Sequence, residues 1–338
     1  MILVTGGNGY VGGWCIVELL NAGYAVRTTV RSAARAPGVR DAVGPRVPAD
    51  ARLEVVVADL GSSEGWAAAM DGVDGVLHVA SPLGSASQLP DDEMVALARD
   101  GAVRVVQAAI DAGVARVVLT SAANAASPTS YAEGGSSDES LWTDPDAPGV
   151  IAYRRSKTLA ERAAWELVER LQSATELVTV LPGAVLGPVL SADAVGSVGI
   201  IQRILSGSMP GVPRIGLEVV DVRDLAALHV LALRSPLAAG KRYLGTGDFL
   251  WMRDIAVTLR EGMGPAGAKV KTRVLPNWLV KIAARFDPGL RDILPGLGRT
   301  HVHSTARAES ELGWSRRPAQ ETILDCGNNL VSLGLLQS

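Results

Sequence analysis

Cysteine is nearly absent: Cys15 and Cys326, at opposite ends of a 338-residue chain, allow neither a disulfide framework nor a thiolate metal site. Cys15 falls on the first expected helix, where a small buried thiol is the plain reading. No excess of positive charge is present either. The net charge is −3, so no basic field exists to hold a nucleic-acid backbone. The opening residues, Met1-Ile-Leu-Val-Thr-Gly-Gly, carry no basic segment ahead of an apolar core, and no secretory signal is expected. The longest uncharged stretch, residues 177–192, is interrupted by Pro182 and Pro188 and is too short to span a bilayer. Internal repeats and low-complexity segments are missing. A cytoplasmic protein with no nucleic-acid or membrane partner is the expectation.

What the chain does have is apolar mass and glycine: 48% of residues are hydrophobic and 37 are glycine. That composition fits a packed globular fold. Short β-rich runs at 2–5, 25–30, 53–58, 75–79, 116–120 and 177–181 alternate with helical patterns at 10–22, 62–70, 92–112 and 152–172. The runs are almost continuously apolar, as required when helices cover both faces of a sheet. The fold class is therefore α/β: a Rossmann-type doubly wound parallel sheet with a smaller, discontinuous C-terminal substrate lobe. Residues 1–182 form the dinucleotide-binding domain, with 217–235 returning to it as a strand at 218–221 and a helix at 222–234. Residues 183–338 mainly form the lobe, packed over the carboxyl edge of the sheet.

Between the first strand and first helix lies Thr5-Gly-Gly-Asn-Gly-Tyr-Val-Gly12, which places Gly6, Gly9 and Gly12 at G-x-x-G-x-x-G spacing. The first glycine turns the chain, the second admits a pyrophosphate, and the third packs helix against strand. The helix start then offers unpaired N–H groups to the anion. The second strand ends in Arg31-Ser32, where a carboxylate would favour NAD and an arginine suits the 2′-phosphate of NADP(H). Arg31 is the candidate clamp, with Ser32 or Arg35 beside it.

Tyr153-Arg-Arg-Ser-Lys157 opens a long helix. Residues four apart share a helical face, so phenol and ammonium stand together. A free phenol ionises near pH ~10. A neighbouring cation is expected to lower that value, and Lys157 can also hold the nicotinamide ribose.

With these motifs in place, the chain resembles the extended short-chain dehydrogenase/reductases, in the dihydroflavonol, cinnamoyl-CoA and carbonyl reductase group. The resemblance is carried by the glycine turn, Thr29-Val-Arg31, Ala58-Asp-Leu60, His78-Val-Ala-Ser-Pro82, Leu119-Thr-Ser121, residues 153–165, Leu181-Pro-Gly183 with Gly187-Pro188, and residues 220–225. It implies NADP(H)-dependent reduction of a small-molecule aldehyde or ketone, reversibly, with the proton from Tyr153. It implies further that Tyr10 and Val11 belong to the phosphate turn, that Asp59 and Leu60 contact adenine, that Val79, Ala80 and Ser81 line the ribose and pyrophosphate, and that Pro182, Gly183, Ala184 and Val185 meet the carboxamide. It admits a homodimer.

The family usually has Thr-Ser-Ser after the fifth strand, whereas this chain has Thr120-Ser121-Ala122-Ala123. Ser121 is the candidate third catalytic residue, and Asn124 or Ser127 are alternative donors for the substrate carbonyl. Ser127 also stands where plant dihydroflavonol reductases carry asparagine or aspartate, and Ile151-Ala-Tyr-Arg-Arg replaces the cinnamoyl-CoA reductase signature around the tyrosine, so neither plant substrate is implied. Substrate fit is expected from the segments 82–89, 127–148 and 183–216. Two other readings stay open: another enzyme of this scaffold, such as a sugar-nucleotide epimerase or hydroxysteroid dehydrogenase, and an NADP-binding sensor with weakened catalysis. His301-Val-His303 lacks companions for a metal site, no metal is expected, and His78 reads as a structural histidine.

Overall fold

The computed structural model describes residues 1–82, 89–129, 134–192, 196–286 and 288–336. Its first half runs β1 (Ile2–Val4), α1 (Tyr10–Asn21), β2 (Val26–Val30), α2 (Ala36–Val43), β3 (Leu53–Val57), α3 (Trp66–Met70), β4 (Gly75–His78), α4 (Asp91–Asp111), β5 (Arg116–Thr120), β6 (Ser136–Ser137), α5 (Ala152–Leu171) and β7 (Glu176–Pro182). The second half continues β8 (Ala184–Leu186), α6 (Gly199–Leu205), β9 (Gly216–Asp221), α7 (Val222–Arg234), β10 (Arg242–Gly245), β11 (Asp248–Trp251), α8 (Met252–Gly262), α9 (Asn277–Ala283), α10 (Pro288–Ile293), β12 (Val302–His303), α11 (Ala306–Leu312) and α12 (Ala319–Ser332).

Seven parallel strands form the central sheet in the order β3-β2-β1-β4-β5-β7-β10. The order reverses between β1 and β4, and open sheets of this kind bind ligands at the carboxyl ends flanking such a reversal. Helices α1 and α7 cover one face, and α4 and α5 pair across the other. Sandwiched in this way, Leu3, Val4, Val26, Val76, Val117, Val118, Val178 and Val180 are wholly buried. Each such side chain contributes about 1.5–3 kcal/mol relative to exposure. Three acidic residues, Asp91, Asp92 and Glu93, sit in the first turn of α4, where they complement its dipole. Gly101 lets that helix press onto Leu60, whose Cβ would lie 3.1 Å from an added Cβ.

The doubly wound sheet agrees with the sequence reading, and the differences lie at its far edge. Helix α7 packs on α1 as expected for the returning segment, but β9 lies in a separate three-stranded sheet, β11-β9-β8. The seventh strand is β10, which pairs Tyr243 with Val180 on β7. A four-residue strand opened by Arg242 carries almost no local signal. Its arginine is neutralised by a carboxylate 81 positions away. Helices α2, α6, α8, α11 and α12 were likewise not apparent from the pattern. Cys15 and Cys326 are free and buried, and among the described residues no helix is long and apolar enough to cross a membrane.

Candidate active site

The turn joining β1 to α1 is built around positions where side chains cannot fit. Gly6 has φ +73°, and a Cβ there would lie 3.1 Å from both Cα and Cβ of Ala80. Only glycine enters this region without strain. At Gly12 a Cβ would come within 2.4 Å of the Gly6 carbonyl oxygen, so the third glycine packs the helix onto the turn itself rather than onto the strand. At Gly9 the nearest atom would be the Gly6 oxygen at 3.1 Å. Gly7, which the spacing argument passes over, is equally restricted: a Cβ would overlap Thr28 Oγ1 at 2.2 Å. No side chain caps α1 at Gly9, so its first-turn N–H groups are left for a ligand or water. This cradle fits a dinucleotide pyrophosphate.

Threonines brace the turn. Thr29 Oγ1 accepts from the Gly6 amide at 3.1 Å, and Thr28 donates to the Val4 carbonyl at 2.7 Å. Thr5 Oγ1 accepts the amides of Val79 (3.1 Å) and Ala80 (3.0 Å), so its own proton goes to His78 Nδ1 at 2.8 Å. His78 therefore carries its proton on Nε2. Burial and the nearby Lys157 charge lower its pKa to about 3, keeping the ring neutral. The amides of Val79 and Ala80 are thus already used, and only the remaining surface of these half-buried residues can line a ligand.

The other expected cofactor residues lie around the same sheet edge. Arg31 and Ser32 are exposed just beyond β2. Half-buried Asp59 accepts the Gly61 amide at 2.6 Å, while the Leu60 carbonyl accepts from Arg104. Ser81 is half-buried beyond β4, next to Pro82. Tyr10 directs its hydroxyl to the Gly187 carbonyl at 2.9 Å, and Val11 packs partly buried against the core. Pro182, Gly183, Ala184 and Val185 form the β7–β8 junction. There a Cβ on Gly183 would approach the Glu218 carbonyl to 2.5 Å. Of the expected substrate segments, 83–88, 130–133 and 193–195 lie outside the described residues.

Helix α5 places Tyr153, Lys157 and Glu161 at successive four-residue steps on one face. Its start is held by Arg154, a fully buried arginine that donates to the carbonyls of Asn124 (3.1 Å), Ser127 (2.7 Å) and Pro128 (2.5 Å). Lys157 Nζ reaches the Thr120 carbonyl at 3.4 Å, and burial lowers its pKa to about 8 while Glu161 opposes that shift. Tyr153 differs from expectation. Its phenol is pushed up to about 12, because burial disfavours phenolate. Among the described residues nothing hydrogen-bonds its hydroxyl.

Ser121 is also redirected. Its hydroxyl donates to Glu161 Oε2 at 2.5 Å within a buried cluster, rather than standing free for a substrate. Glu161 Oε1 accepts from Thr179 (2.8 Å) and Arg242 Nε (2.8 Å). Arg242 continues to the carbonyls of Glu139 and Leu141, both at 2.7 Å, and its guanidinium lies 3.7 Å from the Trp142 ring centroid. Ser127 is equally committed, to the Ala123 carbonyl (3.0 Å) and His303 Nε2 (2.8 Å). His303 in turn faces Glu218 at 2.5 Å, and His301 bonds Ser137 at 2.9 Å. Of the three candidate donors, Asn124 alone keeps a half-buried side-chain amide with no hydrogen bond among the described residues. Sequence reasoning passed over Gly7, Thr5, Arg154, Glu161 and Arg242. Of these, Glu161 was within reach, lying four residues beyond Lys157 on the same face.

The family model of the NAD dependent epimerase/dehydratase family matches residues 2–244. A dihydroflavonol 4-reductase of Zea mays is 32% identical over 273 residues, covering 77% of this chain and 73% of its own. A cinnamoyl-CoA reductase 1 of Arabidopsis thaliana is 37% identical over 249 residues, covering 72% and 69%. In fold, the chain is similar to yeast methylglyoxal/isovaleraldehyde reductase Gre2, solved with NADPH, at a TM-score of 0.81, 22% identity and 99% coverage of both chains. With its glycine cradle at the sheet reversal and its Tyr153–Lys157 helix, the chain belongs to the NAD dependent epimerase/dehydratase family, the extended short-chain dehydrogenase/reductases, within the group of dihydroflavonol and cinnamoyl-CoA reductases.

Proposed function

We propose that this protein is an NADP(H)-dependent reductase of aldehydes or ketones. One observation carries the reading: Tyr153, with an unshared hydroxyl, shares a helix face with an ammonium anchored at the end of β5, across the sheet edge from the glycine cradle. When bound, NADP(H) supplies the hydride. The chain's own part is proton delivery and orientation. With a pKa near 12 the phenol is protonated at neutral pH, so Tyr153 Oη gives its proton to the carbonyl oxygen as that oxygen becomes an alcohol. Lys157, charged below about pH 8, stabilises the phenolate left behind and holds the ribose hydroxyls. Asn124 orients the carbonyl, since both serines are engaged elsewhere. Gly6, Gly9, Tyr10, Val11 and Gly12 receive the pyrophosphate, and Arg31 with Ser32 receives the 2′-phosphate. Asp59 and Leu60 border the adenine, and Val79, Ala80, Ser81 and residues 182–185 the rest of the cofactor. Most of the substrate surface comes from residues 183–338. NADPH in the Gre2 complex and the reductase names of the relatives support the same chemistry.

Ala122, buried where the family has serine, favours a second reading as a dinucleotide-binding protein with weakened catalysis. A screen of NADPH oxidation across aldehydes, ketones and β-ketoesters separates the two, because the first requires turnover with at least one class and the second requires binding without it. In the same assay Arg31→Asp is expected to weaken NADPH by tenfold or more, about 1.4 kcal/mol, while sparing NADH. An equal loss with both cofactors removes the phosphate-clamp role.

A further inference from the structure

The C-terminal lobe presents a surface that reduction chemistry does not use. Helix α9 buries Val280 and Ala284 at its foot, yet its opposite side faces outward with Trp278 64% exposed, Ile282 45% and Leu279 37%. Phe286, in the turn that follows, is 84% exposed. Trp278 and Ile282, four residues apart, share one side of the helix, and Phe286 follows in the turn just beyond it. Single exposed apolar residues are ordinary, but a contiguous stripe containing two large aromatics marks a contact surface.

The charge around the stripe identifies the occupant. Residues 269–286 contain Lys269, Lys271, Arg273, Lys281 and Arg285 ahead of the next carboxylate, Asp287, in a chain whose net charge is −3. All five cations are exposed, and among the described residues none has an ion-pair partner. Elsewhere arginines pair freely with carboxylates, as Arg116, Arg223 and Arg317 do. At 100° per residue, Lys281 borders the apolar sector on the side away from Leu279, and Arg285 follows in the turn beside Phe286. An outward apolar face bordered by exposed cations is the pattern of a helix lying in the headgroup region of an anionic bilayer. A second copy of the chain fits less well, because a two-fold contact through this face brings Lys281 and Arg285 of both copies, four cations, into one interface.

We propose that the α9 face is a peripheral docking surface for anionic phospholipid membranes. The absence of a spanning segment does not bear on this, since the contact is with the surface. Apolar insertion and electrostatic attraction act together, as reversible attachment without a span requires. The stripe lies beside the 207–215 segment of the lobe, joined through the Val212–Val274 bridge and the Leu275 amide to the Val212 carbonyl. Docking therefore brings the 207–215 segment of the lobe close to the bilayer.

The test is co-sedimentation of the full-length protein with vesicles of phosphatidylcholine alone or mixed with phosphatidylserine. Binding is expected only to the mixed vesicles, with release at high salt as charges are screened. Lys281→Glu/Arg285→Glu should lower the bound fraction at least about tenfold, and Trp278→Ser/Phe286→Ser should do the same. Both variants should retain the wild-type melting profile and NADPH binding, because the substituted side chains are exposed. Failure to bind mixed vesicles at low salt overturns the proposal, as does equal binding to phosphatidylcholine alone. A concentration-dependent dimer dispersed by the same substitutions overturns it in favour of a contact between copies.

Discussion

The glycine turn and the catalytic helix meet the same sheet edge but are specified in opposite ways. The turn is specified by what is absent: at Gly6, Gly7 and Gly12 a single added carbon meets backbone or a neighbouring side chain within about van der Waals contact distance. Helix α5 is specified by what surrounds it. Tyr153 and Lys157 lie one turn apart, yet their protonation follows from burial and, for Lys157, from Glu161. Steric rules are local and survive transfer from one chain to another. Electrostatic ones are assembled from distant residues and do not.

Glu161→Gln should break this comparison hardest. It leaves Arg242 buried without its carboxylate, and removing one partner of such a pair costs about 3–5 kcal/mol. The expected result is a large fall in denaturation midpoint together with a lower Lys157 pKa, because Glu161 is what raises it. Unchanged stability would mean that the cluster is not a working unit. Next in size, Asn124→Ala should reduce kcat by about 10²–10³ while leaving NADPH affinity intact, the usual cost of losing one oriented donor. If Ser121→Ala has that effect instead, the carbonyl is held from β5 and not from the turn after it. Smaller again is Gly12→Ala, expected to cost about 1–3 kcal/mol of local strain. The loss should appear as weaker NADPH binding measured by titration, with little change in kcat at saturation. A normal dissociation constant would show that the turn can yield.

The same division explains what could be read from the chain. The parallel sheet was legible because its first six strands are apolar or β-branched runs between turn residues, and α7 was located to the residue. Strand β10 was not, because Arg242 looks like solvent-facing charge until Glu161 is brought beside it. At the site, the glycines, Tyr153 and Lys157 were legible from spacing. Ser121 matches the family motif by position, but its hydroxyl is bonded to Glu161, a partner 40 positions away that spacing does not reveal. The direction of the Tyr153 shift was missed for a related reason. Helical spacing puts a cation on the same face, but it does not reveal how deeply the phenol is buried.

The central claim is that Tyr153 delivers the proton while Lys157 stabilises what remains, and a pH profile of single-turnover carbonyl reduction tests it most directly. Tyr153 stays protonated until about pH 12, so it does not limit the rate in the neutral range. Lys157 has a lowered pKa, is charged below about 8 and neutral above, and its contribution is therefore lost as pH rises through that value. The wild-type rate should hold through neutral pH and decline above about 8, whereas Tyr153→Phe should be slower by about 10²–10⁴ throughout. A Tyr153→Phe protein that turns over at the wild-type rate would contradict the account.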